Sequence, residues 1–286
     1  MTPFNPGSMT RQRGVTLIEV MVGLIIGMLV VLVALSSVLF TRSSARVMTD
    51  SAGLEQQATL VMTQIGQQIR QAGAINGYPS GADPNQCTTT DGGCASVASG
   101  LINFDTRAFG GIPANIFGTT GGGPDTLVIT YARPNDGSLA FNCIGQDGPG
   151  PGAPYTVTGT GQAQVVNEFS VDTSKNNLMC GDTVSSVTLA GTRPSGNTNQ
   201  PIASNVMDMR IRYLQIAASG NVTYMAANAV SDWSTVNGLQ VCLEMQGDPT
   251  GAPDQKYTNC QGADTTSTDG RIHRIVKQTF SMRNFN

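Results

Sequence analysis

Hydrophobic and polar positions fall into three regimes along the chain. Between Arg13 and Arg42 the only ionisable side chain is Glu19, and the run from Val20 to Phe40 is apolar almost throughout. As a helix, about 28 residues rising roughly 1.5 Å each would reach roughly 42 Å, more than the roughly 30 Å of a hydrocarbon core. The second regime keeps the helical period but becomes two-faced. Leu54, Ala58, Val61, Ile65, Ile69 and Ala72 recur at steps of three and four, while Glu55, Gln56, Gln57, Thr63, Gln64, Gln67 and Arg70 take the opposite face. The two patterns together predict one helix of about 58 residues, its first half in lipid and its second half laying an apolar stripe on a sheet. Gly53 and Gly66 interrupt it at a cost of up to roughly 1 kcal/mol each. They serve either as bend points or as places where helix and sheet approach closely. Gly73, Gly77 and Pro79 end it.

The third regime is turn-rich and reads as strands joined by long polar loops. From 76 to 126 Asn-Gly, Ser-Gly, Asp-Pro and Gly-Gly pairs dominate, with short apolar stretches at Leu101–Phe104 and Ile112–Phe117 as brief strands or loop plugs. Strands are predicted over Asp125–Ala132, Tyr155–Thr158, Gln164–Val171, Ser185–Leu189, Val206–Gln215, Val236–Met245 and Arg271–Asn284, with Thr192–Pro201 a polar loop. In the strand from Val206, Met207, Met209, Ile211 and Tyr213 alternate with Asp208, Arg210 and Arg212, the pattern of an antiparallel sheet wet on one side. The fold class is therefore α+β: a long amino-terminal helix on an antiparallel sheet.

Composition narrows the function. The net charge of −3 and pI near 5.1 leave no basic footprint, so nucleic acid is not expected as a partner. Six cysteines (Cys87, Cys94, Cys143, Cys180, Cys242 and Cys260) all follow the apolar run. An even number beyond a membrane segment points to disulfides in an oxidising compartment, each contributing about 2 to 4 kcal/mol, although six cysteines allow 15 pairings. Cys87 and Cys94 enclose the turn-prone Thr-Thr-Thr-Asp-Gly-Gly and are paired first; Cys143–Cys180 and Cys242–Cys260 follow. Metal ligation is the competing reading, but there is no Cys-x-x-Cys and the single His273 has no ligand partner at a fixed spacing, so no metal or cofactor is expected.

Catalytic layouts are equally thin. The sequence has no Gly-x-Ser-x-Gly, no phosphate-binding Gly-x-x-x-x-Gly-Lys and no His-Glu-x-x-His. Asp125, Asp136, Asp172 and Asp182 are scattered and read as strand-edge or turn residues. The run Asp264–Gly270 is rich in oxygen ligands for Ca²⁺ but lacks the full loop pattern and a bidentate Glu, so it reads as a polar turn. No enzyme is expected.

What remains is Glu19, a carboxylate at the edge of an apolar helix that supplies no partner for it. Such a charge costs several kcal/mol in lipid unless it is paired. The stretch Arg13-Gly14-Val15-Thr16-Leu17-Ile18-Glu19 resembles the processing signal of type IV pilins and type II secretion pseudopilins. Arg11 and Arg13, ahead of the span, fit a cytoplasmic leader under the positive-inside rule.

By that resemblance, residues 1–14 are a leader removed by a prepilin peptidase that cuts after Gly14 and methylates Val15, where the family most often has Phe. Residues 15–40 are the transmembrane and assembly half of the helix, 41–75 its periplasmic half, and 76–286 a β-rich head. Glu19 would meet the amino terminus of a neighbouring subunit. Gly23 and Gly27 add a small-xxx-small spacing that lets helices approach.

The other end is more specific. Asn205-Val206-Met207-Asp208-Met209-Arg210-Ile211-Arg212-Tyr213, Trp233 ahead of an apolar strand, the terminal Arg271-Ile272-His273-Arg274-Ile275-Val276 through Met282-Arg283-Asn284, and the helix ending Gln68-Ile69-Arg70-Gln71-Ala72-Gly73 resemble the PilW family of minor pilins. The resemblance implies a structural subunit, held in the inner membrane with a periplasmic head until extracted into a pilus. Its expected partners are other minor pilins, the major pilin and the peptidase, and its expected roles lie in initiation near the tip, twitching motility and adhesion. A J-type minor pseudopilin, or an adhesin whose loops from 76 to 200 bind a ligand, is the alternative.

Overall fold

The structure, a computed structural model, describes residues 14–73, 77–79, 94–96, 102–105, 115–132, 141–145, 164–181, 199–216 and 220–282. Helix α1 runs from Leu17 to Gln71. At its start the Glu19 N–H lies 3.1 Å from the Thr16 carbonyl oxygen and 3.4 Å from Thr16 Oγ1, an oxygen cap ahead of the first turn. At its end Gly73 takes φ +69, the left-handed conformation that glycine adopts without penalty, and donates its N–H to the Thr130 carbonyl at 3.0 Å.

By its contacts the chain divides into two compact units, Met1–Thr49 and Asp50–Asn286. In the first, the described side chains are mostly exposed, and the helix is long and apolar enough to cross a membrane. Its hydroxyls turn inward: Ser36 and Ser37 donate to the Val33 carbonyl (2.8 and 3.0 Å), Thr41 to Ser37 (2.8 Å) and Ser43 to Phe40 (3.1 Å). Each of these four hydroxyls is thereby satisfied without water.

Every described strand pairing in the second unit is antiparallel. Strands β4 (Ile116–Thr119), β5 (Thr126–Ala132), β6 (Gln164–Asp172), β7 (Asn177–Gly181) and β8 (Gln200–Ala203) form a five-stranded meander in chain order. A second sheet has the order β10-β9-β11-β14, from β9 (Val206–Ile216), β10 (Val222–Met225), β11 (Val236–Gln246) and β14 (His273–Ser281). A small sheet of β1 (Gly77–Pro79), β3 (Ile102–Asp105) and β2 (Cys94–Ser96), and a hairpin of β12 (Gln255–Thr258) and β13 (Asp264–Ser267), complete the described strands. The pairings β9–β11 and β11–β14 set Ile211 opposite Val241, Met209 opposite Leu243 and Leu239 opposite Phe280. These residues join Leu54, Ala58, Val61, Ile65 and Ile69 of the helix in one core, as the six-residue apolar stripe predicts.

Several expectations change. In β9 it is Val206, not Met207, that is fully buried. A register shift between Glu244 and Met245 sets Val206 opposite Met245 and breaks the simple alternation there. Gln200 and Pro201, expected in a loop, belong to the edge strand β8, where proline is tolerated for want of a partner on one side. Of the run Asp264–Gly270, expected as a polar turn, Asp264–Ser267 is strand β13, paired with β12 in register from Thr258↔Asp264 to Gln255↔Ser267. Strands β7, β10, β12 and β13 carried no sequence signal of their own. The expected strands Tyr155–Thr158 and Ser185–Leu189 lie outside the described residues.

Candidate functional site: the helix start and its seat in the head

Gly14, Val15 and Thr16 precede the helix as exposed chain, and no heavy atom lies within 4 Å of where a Cβ on Gly14 would stand. The Gly14–Val15 bond is thus accessible in this structure. Glu19 stands in the first turn of α1, where the free N–H groups and the helix dipole favour an anion. It is exposed, and no ion pair to it occurs among the described residues. At Gly23 and Gly27 a Cβ would likewise meet nothing within 4 Å.

The other half of the helix is seated by specific contacts. A Cβ added at Gly66 would come 2.4 Å from Cε1 of Phe280, so the aromatic ring of β14 lies against bare helix backbone. Of the two alternatives for the interrupting glycines, Gly66 is a close helix–sheet contact; Gly53 has open space around it. Glu55 pairs with Arg274 of β14, and Gln64 Nε2 donates to the Cys143 carbonyl. The Asp248 N–H donates to Asp50 Oδ1 at 3.2 Å.

Gln68 is the centre of a buried polar network. Its Oε1 accepts from Asn167 Nδ2 at 2.9 Å and lies 3.1 Å from the Tyr131 hydroxyl, which also reaches the Phe141 carbonyl at 2.8 Å. Asn167 Oδ1 in turn accepts the Cys143 N–H at 2.8 Å. Burial pushes the Tyr131 phenol up to about 12, against the opposing hydrogen bonds of Asn167 and Gln68. The disulfide Cys143–Cys180 joins the 141–145 segment to β7, so helix, loop and sheet are held at one place. The disulfide Cys242–Cys260 joins β11 to the turn of the hairpin. Of the expected pair Cys87–Cys94, Cys87 lies outside the described residues.

Asp125, expected at a strand edge, has a larger part. Its N–H donates to the Met209 carbonyl and its Oδ2 accepts the Ile211 N–H, both at 2.8 Å, so one residue pairs with the part of β9 that β10 does not reach. Oδ1 accepts from Thr120 Oγ1 at 2.6 Å and lies 3.4 Å from Arg210 Nη1. Arg210, which sequence places on a wet face, is therefore engaged by Asp125 and, at 2.9 Å, by Asp208; Arg212 remains exposed. Burial and the Asp125 carboxylate both raise the Tyr213 phenol above its ordinary value.

His273 also gains partners that its sequence neighbours do not announce. Its ring stacks on Tyr257 with centroids 5.0 Å apart; Nδ1 lies 3.2 Å from the Tyr257 hydroxyl and Nε2 3.1 Å from Asp269 Oδ2. Tyr257 donates to Glu244 Oε1 at 2.9 Å, and burial, then this carboxylate, push its phenol up to about 12. The Ser267 hydroxyl foremost, then the Arg271 N–H and His273, draw Asp269 down to about 2. The cluster fastens the hairpin to β11 and β14. No group of three or more His, Cys, Asp or Glu suited to a metal ion occurs among the described residues.

An exposed apolar helix with an acidic first turn and an accessible Gly–Val bond ahead of it, continuing into a helix seated on antiparallel sheets with disulfides, defines a type IV pilin-like protein. Residues 9–35 match the prokaryotic N-terminal methylation motif, and residues 168–284 match the type IV pilus-assembly protein W model. The carboxy-terminal part of the chain is thus similar to the PilW family of type IV pilus proteins, and its amino-terminal part to the methylation motif of prepilins. The motif implies processing by a prepilin peptidase and assembly with other pilins, and the family is structural rather than enzymatic in general. Among solved structures, a type IV-like pilin from Thermus thermophilus is similar over 82% of this chain and 98% of its own, at 13% identity and a TM-score of 0.44. No curated protein matches the chain.

Proposed function

We propose that this chain is a minor pilin, cut between Gly14 and Val15, methylated at Val15, and built into a pilus through its apolar half-helix. Residues 1–14 are then the leader, 15–40 the membrane and assembly half, 41–75 the periplasmic half and 76–286 the head. One observation carries the reading: Glu19 is the sole carboxylate of a fully exposed apolar helix segment, and it has no ion-pair partner among the described residues. In lipid or in a helical bundle such a charge demands a cation. The freed ammonium of a neighbouring subunit has the right charge and the same depth, so the pair would set the axial register of one subunit against the next. Losing one partner of a buried pair costs about 3 to 5 kcal/mol.

Before assembly the head faces the periplasm. In the fibre the protein acts with other minor pilins to start assembly near the tip, and through this supports twitching motility and adhesion. Replacing Glu19 by Ala is expected to abolish or sharply reduce surface pili while leaving the head folded; unchanged piliation removes the proposed role of the carboxylate. Mass spectrometry of the membrane-extracted chain is expected to give an N-methylated Val15 terminus, and a retained leader would sink the processing step.

A further inference from the structure

The apolar run from Val20 to Phe40 spans 20 helical steps, about 30 Å, which alone fills a hydrocarbon core. Arg42 and Arg46 follow at once, their Cα atoms about 3 Å and 9 Å beyond that of Phe40 along the axis. A headgroup layer is roughly 5 to 8 Å deep on each side of the core, by difference between the whole bilayer and its hydrocarbon. The two arginines therefore bracket that layer. Four residues apart, they share one helix face. Both are exposed, and neither makes an ion pair among the described residues. The next carboxylate along the helix, Asp50, accepts the Asp248 N–H. Between the arginines stand only Ser43, Ser44 and Ala45, small enough to leave the approach open, and the Ser43 hydroxyl is already spent on the Phe40 carbonyl.

We propose that Arg42 and Arg46 form a lipid-phosphate clamp that fixes the depth of the helix at the far face of the membrane. Each planar guanidinium takes phosphate oxygens in the fork geometry suited to that anion. The clamp rests on the reading that this half-helix is membrane-anchored, and it adds a ligand class and two residues to it. It also sets a resistance that extraction into a fibre has to overcome.

The test uses the full chain, with arginine labelled at ¹³Cζ, in vesicles of phosphatidylethanolamine and phosphatidylglycerol. Flotation of wild type and R42Q/R46Q is measured first; both are expected to float, and a wild type that stays at the bottom of the gradient refutes the anchoring itself, and the clamp with it. Solid-state NMR recoupling between ¹³Cζ and lipid ³¹P then reads the contact. Wild type is expected to show guanidinium signals dephased by phosphorus, and R42Q/R46Q to lose at least half of that dephasing. Floating protein with no dephasing, or dephasing unchanged in R42Q/R46Q, overturns the clamp while leaving the anchoring intact.

Discussion

Ile25 and Ile65 are the same residue in the same helix, yet Ile25 is 58% exposed and Ile65 is wholly buried. The first lies in a stretch apolar on every face, the second on a stripe with Glu55, Gln67 and Arg70 behind it. One continuous backbone thus serves two surroundings: the amphipathic half finds its partner within its own chain, and the all-apolar half leaves its surface for lipid or other subunits. An all-round apolar helix is stable only when something outside it removes its surface from water. The comparison predicts opposite sensitivities. Ile65→Ala should cost the head about 2 to 5 kcal/mol through lost transfer energy and a cavity. Ile25→Ala should change head stability by less than about 0.5 kcal/mol. Urea unfolding of the full chain in mild detergent, followed by the fluorescence of its single tryptophan, reads both. Trp233 reports on the head because its ring meets Tyr213 edge-on at 4.8 Å. Equal losses would mean that the two halves are not energetically distinct.

The disulfides sharpen the contrast at the next level. Cys143–Cys180 closes a separation of 37 residues and Cys242–Cys260 one of 18, both within the head. Replacing either pair by serine should cost about 2 to 4 kcal/mol. The longer closure is worth roughly 0.6 kcal/mol more on loop entropy alone, since it is about twice the length. The same urea titration orders them, and a larger loss at Cys242–Cys260 would show that contacts around the bridges outweigh chain entropy.

Much of this was open to reading in the sequence because both signals are local. The apolar run and the steps of three and four from Leu54 to Ala72 are helical periodicity, and Val206, Val236 and the final strand carry β-branched or alternating patterns. The strands without a legible pattern are short, and Gln255–Thr258 and Asp264–Ser267 are also polar. They are held by their pairing and by side-chain contacts rather than by a period of their own: Gln255 spans the backbone of His273 with both ends of its amide, at 2.9 Å each. Pairing of that kind leaves no period to detect. Asp125 and His273 were visible as residues but not as centres, because Met209, Arg210 and Ile211 lie more than eighty positions from the first and Tyr257 in a strand unmarked by any pattern. Glu19 was legible for the opposite reason: it is conspicuous by breaking a pattern.

Glycine separates the two environments at a smaller scale. Gly66→Ala should cost about 1 to 3 kcal/mol, because the new methyl meets the Phe280 ring and the helix must move away from β14. Gly53→Ala should gain up to roughly 1 kcal/mol, since helix propensity improves and nothing stands in the way. Thermal unfolding of the two variants should bracket wild type. A destabilised Gly53→Ala would reveal a bend or a contact at that position that the open space around it does not suggest.

The smallest effect concerns the hairpin. Asp269, foremost through the Ser267 hydroxyl, is drawn down to about 2, while an unfolded aspartate titrates near 3.9. A carboxylate whose folded value is depressed adds stability above its unfolded pKa and loses it as pH falls through the folded one. Its contribution is therefore complete above about pH 4 and fades toward pH 2. Because the side chain is 43% exposed, solvent screening keeps the amount small, and global unfolding is the wrong measurement. Hydrogen exchange of the β12–β13 amides is the sensitive one. Wild type should lose protection there between pH 4 and pH 2, Asp269→Asn should show weaker protection at pH 4 and a flatter decline, and the amides of Leu54–Ile69 should be indifferent to the substitution. A hairpin that responds identically in both proteins would assign its hold to Tyr257 and the Cys242–Cys260 bridge alone, and would leave the Asp269–His273 contact without energetic weight.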